Sequence, residues 1–193
     1  MRVALLLVPI LTLAAGCKKD APPAPAVPDT FGVIPAFAFV DAGKAPYGSA
    51  DLAGKVWIAN TFFTSCRSIC PPLMLAVSEL RTRLADTPVA FVSITIDPDN
   101  DTPDVLTRYA VDRLYTAPNW RFITSSYEAT RALVVDGFRT ALGQAPKDRS
   151  DGTDIEHSAK LFLVDQTGHL RGWFSSDAKG LDAIEQAARQ LLK

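Results

Sequence analysis

Sulfur and imidazole ligands are scarce in this sequence, which has three cysteines, two methionines and two histidines among 193 residues. A strong net charge is also missing, because the formal charge is −1 and acidic and basic residues are interspersed along the chain. A polyanionic partner such as nucleic acid is therefore not predicted. The 48% of hydrophobic residues and the chain length indicate one globular domain with a sizeable core.

The N-terminus has the features of a targeting segment. Arg2 precedes an apolar run from Val3 to Leu13, which is too short to span a bilayer comfortably, and the small residues 14–16 lead directly to Cys17. A cysteine in this setting resembles the lipobox of bacterial lipoproteins. We therefore expect residues 1–17 to be a signal peptide that ends at a lipidated Cys17. Ordinary secretion with removal of Cys17 is the alternative, and both place the mature domain outside the cytoplasm, on the periplasmic side.

Alanine, proline and charged residues fill positions 18–30 without apolar periodicity. Such a composition cannot form a core and predicts an extended tether, which would reach roughly 40 Å at about 3.1 Å per residue. Residues 31–193 then form the globular domain, which the tether lets stand away from its membrane.

Strand and helix patterns alternate through the globular domain. Buried or alternating apolar runs predict strands at Phe37–Val40, Lys55–Phe63, Pro88–Asp97, Asn119–Thr124, Ala159–Asp165 and Leu170–Ser176. Helical spacing predicts helices at Pro71–Ala85, from Pro103 onward behind a Thr102 cap, at Ser126–Val135 and at Leu181–Leu192. The order predicts an α/β fold, a three-layer sandwich with a central mixed sheet and helices on both faces. The middle of segment 137–156 is predicted to be a polar loop.

Two cysteines, Cys66 and Cys70, lie where a predicted strand passes into a predicted helix. A disulfide across so short a loop would restrict the unfolded chain little, so a purely structural role is disfavoured. A dithiol at a strand-to-helix junction is typical of a thioredoxin-like layout. The helix N-terminus also makes a thiol a better nucleophile or metal ligand. The pair is therefore predicted to be reactive or to bind metal.

The spacing of the cysteines favours chelation over exchange, because thioredoxin-type motifs have two intervening residues and this chain has three. A third ligand would complete a trigonal site for a soft ion. His169 lies in a predicted hairpin turn, where we expect an exposed structural residue. His157 precedes the predicted strand Ala159–Asp165, at the place where thioredoxins have a cis-proline and this chain has none. His157 is thus the candidate ligand, and an exposed loop histidine is the alternative.

The acidic stretch from Asp97 to Pro103 has carboxylates at alternate positions, as calcium loops do. Thr102 stands at the sixth position, where such a loop needs glycine, and Arg108 stands at the twelfth, where it needs glutamate. The pattern therefore excludes an EF-hand. It predicts a turn before a helix, in which Asp97 either supports the site or forms the turn. Met74 is predicted to be a core residue.

Three blocks of sequence, FFTSCRSICPPLM, VSITIDPDNDTPDVLTRYA and EHSAKLFLVDQTG, resemble the Sco/SenC proteins, which deliver copper during cytochrome c oxidase assembly. The resemblance implies a thioredoxin-like fold and binding of Cu+ and Cu2+ by Cys66, Cys70 and His157. It also implies transient partners, namely a copper donor protein and the apo copper subunit of the oxidase. The chain departs from the family pattern at Arg67 and Ser68, where proline and an acid are common, and at Glu156, where aspartate is common.

Two functions follow as hypotheses. The first is a membrane-tethered copper metallochaperone that passes its metal to an apo cuproprotein site, such as the dinuclear copper site of the oxidase. The alternative is a thiol–disulfide oxidoreductase, with Cys66 as attacking thiolate and Cys70 as resolving thiol. The missing proline counts against the alternative.

Overall fold

A computed structural model describes residues 30–143 and 155–193 of the chain. Its strands are β1 (Ala38–Asp41), β2 (Pro46–Gly48), β3 (Trp57–Phe62), β4 (Ala90–Thr95), β5 (Trp120–Thr124), β6 (Leu161–Val164) and β7 (Leu170–Phe174). Its α-helices are α1 (Ser49–Leu52), α2 (Cys70–Arg83), α3 (Pro103–Asp112), α4 (Tyr127–Ala132) and α5 (Ala178–Leu191), and a π-helical turn (Leu133–Gly137) follows α4.

The seven strands form one mixed sheet in the order β2-β1-β5-β4-β3-β6-β7. The central strands β3, β4 and β5 are parallel to one another, whereas β6 runs antiparallel to β3 and pairs with β7 as a hairpin. Every residue of β3 and β4 is buried, as their continuous apolar runs predict. The prediction of a mixed sheet is therefore confirmed.

Two hydrophobic clusters cover the two faces of the sheet. One joins β3 and β4 to helices α2, α3 and α5, with Leu80, Leu106 and Ile184 each fully buried. The other joins the opposite face to α1 and the π-helical turn through Leu52 and Leu133. Helices therefore lie on both faces, which confirms the predicted three-layer α/β sandwich.

Local details differ from the sequence prediction at two places. Strand β2 and the four-residue helix α1 lie between two predicted strands, where neither was predicted, because elements this short leave no periodic signal. Thr102 precedes α3 as predicted, but its side chain makes no capping hydrogen bond. Ser126 does cap α4, since its hydroxyl accepts from the Ala129 N–H at 3.2 Å.

The signal peptide, the lipidated Cys17 and all of the tether except residue 30 lie outside the described residues, so these remain predictions. Along the parts of the chain that the structure does describe, none of the helices combines the length and apolar character needed to cross a membrane.

Candidate metal centre

Both cysteines are placed by the junction between β3 and α2. The strand ends at Phe62, a turn follows in which the Cys66 N–H donates to the Phe63 carbonyl at 3.2 Å, and the helix begins at Cys70. The Cys70 N–H donates to the Cys66 sulfur at 3.3 Å. The first N–H groups of a helix have no acceptor within the helix, so this sulfur acts as the cap that a serine or aspartate would otherwise supply. The two cysteines are not joined by a disulfide bond.

His157 reaches the same edge of the sheet because β6 is antiparallel to β3. Residues that precede β6 therefore lie beside residues that follow β3. The segment is held by the Thr61 hydroxyl, which donates to the Ser158 carbonyl at 3.3 Å. His157 also forms an isolated β-bridge with Leu142. The sequence separation of 87 residues between Cys70 and His157 is thus closed by strand pairing.

The three side chains converge on one small volume. The Cys70 sulfur lies 3.3 Å from Nε2 of His157, and the ligand atoms of Cys66, Cys70 and His157 all lie within 4.8 Å of one another. The imidazole packs edge-on against Phe63, with 5.6 Å between ring centroids. Cys66 and Cys70 are 8% and 1% exposed, and His157 is half-buried. The structure therefore brings together the three residues predicted from the sequence.

The donor set and its spacing suit a soft metal ion. Bonds of about 2.0–2.3 Å to imidazole nitrogen and thiolate sulfur place neighbouring ligand atoms roughly 3.5–4 Å apart in a trigonal site. The observed spread of 3.3 to 4.8 Å brackets that separation. Two sulfurs favour a soft ion such as Cu(I), and an imidazole extends the set to Cu(II).

A shallow pocket of about 240 Å³ opens onto this site. Its walls are formed by the Cys66 loop on one side and by residues 155–157 on the other. Of the three departures from the family pattern, Ser68 and Glu156 line this pocket, and all three, with Arg67, are exposed. A larger cavity, of about 360 Å³, is lined by Trp57 and Leu52 at the other end of β3 and contains neither cysteine nor histidine.

Tyr109 is an aromatic neighbour of the site. It packs on Phe62 with ring centroids 5.3 Å apart, and the Arg113 guanidinium lies 4.1 Å from its ring centroid. Burial raises the pKa of Tyr109 far above its usual value, and the charges of Cys70 and Cys66 act in the same direction, whereas Arg113 opposes the rise. The Tyr109 hydroxyl therefore stays protonated, and the side chain contributes to core packing.

The loop before Cys66 has a buried support that sequence reasoning missed. The Asp101 carboxylate accepts hydrogen bonds from the Thr64 N–H at 3.0 Å and from the hydroxyls of Thr64 and Thr95. Burial raises the pKa of Asp101, and the hydrogen bonds from Thr64 and Thr95 offset part of the rise. The alternating acids of the turn were a signal for this role, but the sequence offered no way to assign their partners.

His169, Met74 and Asp97 lie outside the cluster of Cys66, Cys70 and His157. His169 lies at the β6–β7 turn as predicted, although it is half-buried rather than exposed, and its Nδ1 lies 2.8 Å from the Thr167 hydroxyl. Met74 is fully buried and its sulfur accepts from the Asn60 amide at 3.3 Å. The prediction that Met74 belongs to the core is therefore confirmed. Asp97 is buried, with both carboxylate oxygens within 3.2 Å of the Asn100 amide.

The fold and the site together define a class: a thioredoxin-like protein in which a dithiol and a histidine form a candidate metal centre. The chain belongs to the SCO1/SenC family, whose sequence model matches residues 26–192. This match confirms the resemblance drawn from the three sequence blocks.

Relatives of known name agree with this assignment. The chain is 29% identical over 122 residues to the SCO1 protein homolog of Bacillus subtilis, an alignment that covers 62% of this chain and 61% of the relative. The chain thus matches about three fifths of that relative's length.

Solved structures share the fold. A SCO1/SenC family lipoprotein from Bacillus anthracis superposes with a TM-score of 0.75 at 27% identity, over 83% of this chain and 95% of that one. Bradyrhizobium japonicum ScoI, whose structure was solved with copper bound, superposes with a TM-score of 0.67 at 22% identity, over 83% of this chain and 98% of that one. The thioredoxin-like fold is therefore confirmed.

Proposed function

We propose that this protein is a copper metallochaperone that binds one copper ion through Cys66, Cys70 and His157. The observation that carries the proposal is the convergence of two sulfurs and one imidazole nitrogen within 4.8 Å at the open edge of the sheet. The copper in the structure of a relative with the same fold supports this choice of metal.

Copper is the cargo of the protein, so the site must release the ion as well as hold it. Three ligands leave room for an incoming ligand, and the pocket beside Cys66 gives that ligand a path to the metal. Transfer proceeds by ligand exchange, in which each bond to an acceptor residue replaces one bond to Cys66, Cys70 or His157. The copper keeps its charge throughout, so the exchange needs neither oxidant nor reductant.

The acceptor that we propose is an apo cuproprotein site, namely the dinuclear copper site of cytochrome c oxidase. A lipidated Cys17 would hold the protein at the periplasmic side of a bacterial membrane, and the tether 18–30 would let the domain reach its partners. The apolar run before Cys17 supports the anchor, as does the description of a relative as a lipoprotein. The oxidase as acceptor rests on the function of the family.

Copper loading of the purified protein tests the proposal. We expect one copper per chain and, with Cu(II), an intense thiolate-to-copper charge-transfer absorption. The C66S/C70S double variant is the control and should lose both the copper and the absorption. Loading that persists in this variant, or Cu(II) binding without the absorption, would contradict the proposed ligand set.

A second candidate function is thiol–disulfide exchange, because the two cysteines are not joined by a disulfide bond and Cys66 is the more exposed of the two. The Cys66 thiolate would attack a target disulfide, form a mixed disulfide and release one target thiolate. Cys70 would then attack the Cys66 sulfur and release the second target thiolate. The target gains two electrons and this protein becomes the disulfide.

Reduction of a model disulfide separates the two functions. The exchange reaction uses no imidazole, so an oxidoreductase should keep its rate after the His157→Ala substitution. We expect a slow rate from the wild-type protein, because its spacing and its site favour chelation. A fast rate that the His157→Ala variant retains would establish exchange as the main activity.

A further inference from the structure

Asp101 is a buried acid that is not among the proposed copper ligands. Its side chain is fully buried, although an ionised carboxylate in the core is costly unless hydrogen bonds compensate for the lost hydration. The residue lies in the turn between β4 and α3, and its own N–H donates to the Asp97 carbonyl at 2.8 Å. The turn therefore fixes the carboxylate at one place beside the loop that precedes Cys66.

The carboxylate is directed at the loop that carries Cys66. Of its three donors, two belong to Thr64, whose N–H and hydroxyl both donate to it, and the third is the Thr95 hydroxyl at the end of β4. Thr64 is two residues before Cys66. In all three hydrogen bonds the carboxylate oxygens are the acceptors, as expected for an ionised carboxylate, which has no proton to donate.

A charge at this place acts on any ion held by Cys66. Two residues of chain and one hydrogen bond put the carboxylate on the order of 10 Å from the sulfur. Within a protein, a negative charge at that distance stabilises a doubly charged ion more than a singly charged one. The difference amounts to about tenfold in the ratio of the two affinities for an effective dielectric constant of about 20.

We propose that Asp101 is a positioning residue of the copper site, which holds the Cys66 loop through Thr64 and shifts the balance of affinity from Cu(I) toward Cu(II). The proposal rests on the copper binding proposed above. It extends that function to the regulation of which oxidation state the site prefers.

The alternative is that Asp101 only stabilises its turn, and Asp165 provides a matched control for that role. Asp165 is also buried, and it also accepts from a main-chain N–H and a hydroxyl of one threonine, Thr167. It follows β6 at the end where Val164 pairs with Trp57, the residue at which β3 begins. Both acids thus accept two hydrogen bonds from one threonine near opposite ends of β3, and Asp165 also pairs with Arg171 at 3.2 Å.

The experiment compares the D101N and D165N variants of the whole domain in three measurements. These are the ratio of Cu(II) to Cu(I) affinity, the energy of the thiolate-to-Cu(II) absorption, and hydrogen exchange of the Thr64 amide without metal. We expect D101N to lower the affinity ratio about tenfold, which equals a rise of about 59 mV in the one-electron potential of the bound copper. It should also shift the absorption and speed Thr64 exchange.

D165N should lower thermal stability but leave all three measurements at their wild-type values. A T64V variant removes one donor and no charge, so it should speed Thr64 exchange and shift the affinity ratio less than D101N does. Should D101N fail to fold, T64V alone carries the positioning test through the exchange measurement and the absorption.

Two results would overturn the proposal: an unchanged affinity ratio in folded D101N, or an equal change in D165N. Unchanged Thr64 exchange in T64V would overturn the positioning role. Copper binding by the wild-type protein is measured first, so a failure of the proposed function is seen separately. The exchange measurement needs no metal and tests the support of the loop in either case.

Discussion

The loop that carries Cys66 and Cys70 and the segment that carries His157 are held in different ways. The cysteines belong to one continuous strand-to-helix junction, in which the Cys66 sulfur accepts from the Cys70 N–H and Asp101 holds the preceding Thr64. The histidine comes from a distant part of the chain. It is held by strand pairing, by the Phe63 ring and by a bridge to Leu142.

The segment of His157 is held by hydrogen bonds between uncharged groups, whereas the loop before Cys66 is also bound to the Asp101 carboxylate. The Gly143 N–H donates to the Glu156 carbonyl at 2.8 Å, and the Tyr127 hydroxyl donates to the Gly143 carbonyl at 3.1 Å. A β-carbon at Gly143 would lie 3.0 Å from the β-carbon of Glu156, so a side chain there would crowd the segment of His157. For the proposed copper site, we therefore expect the two halves to contribute differently: two thiolates suffice for Cu(I), and the imidazole adds to the hold on Cu(II).

The largest effect on copper affinity is expected from a substitution in the loop that carries the cysteines. Cys66→Ser replaces a thiolate that contributes to both oxidation states and also removes the sulfur that caps α2. We expect Cu(I) and Cu(II) affinities to fall together by more than about 100-fold, because ligands outweigh the outer contacts that already contribute 10- to 100-fold. Competition with a chelator of known affinity measures both constants. A loss confined to one oxidation state would contradict the shared role.

A smaller effect, selective for Cu(II), is expected from a substitution of His157. His157→Ala should weaken Cu(II) binding about 100-fold and leave Cu(I) binding nearly unchanged, since both thiolates remain. His169→Ala is the matched control, because that imidazole lies at the β6–β7 turn, and it should change neither constant. Equal Cu(II) affinity in the wild type and in His157→Ala would refute a three-ligand site.

The smallest effect is expected from a residue that touches no ligand. Tyr127→Phe removes the hydroxyl that holds the Gly143 carbonyl and, through it, the segment of His157. One neutral hydrogen bond contributes about 0.5–1.5 kcal/mol, so Cu(II) affinity should fall about two- to tenfold. Cu(I) affinity should not change. Tyr47→Phe, on the edge strand β2, is the control for loss of a phenolic hydroxyl and should leave the Cu(II) affinity unchanged.

Sequence reasoning succeeded where the signal was local. Continuous apolar runs predicted β3 and β4, and the prolines after Cys70 predicted the start of α2 to within one residue. Strand β2 was missed because three residues carry no period. His157 was found from its place before β6 and from the family resemblance. Asp101 was missed because its partners, Thr64 and Thr95, become neighbours only when the sheet has formed.

The antiparallel pairing of β3 with β6 has a thermodynamic consequence. Because neighbouring strands bring the cysteines and the histidine together before any metal arrives, the entropy of closing 87 residues is lost during folding and not during binding. The unfolded chain offers the same donors at a low effective concentration. An ion held by Cys66, Cys70 and His157 therefore binds the native state selectively. When the free ion concentration is a thousand times the dissociation constant, this binding raises the free energy of unfolding by about 4 kcal/mol. Loss of copper then leaves a domain that unfolds more readily.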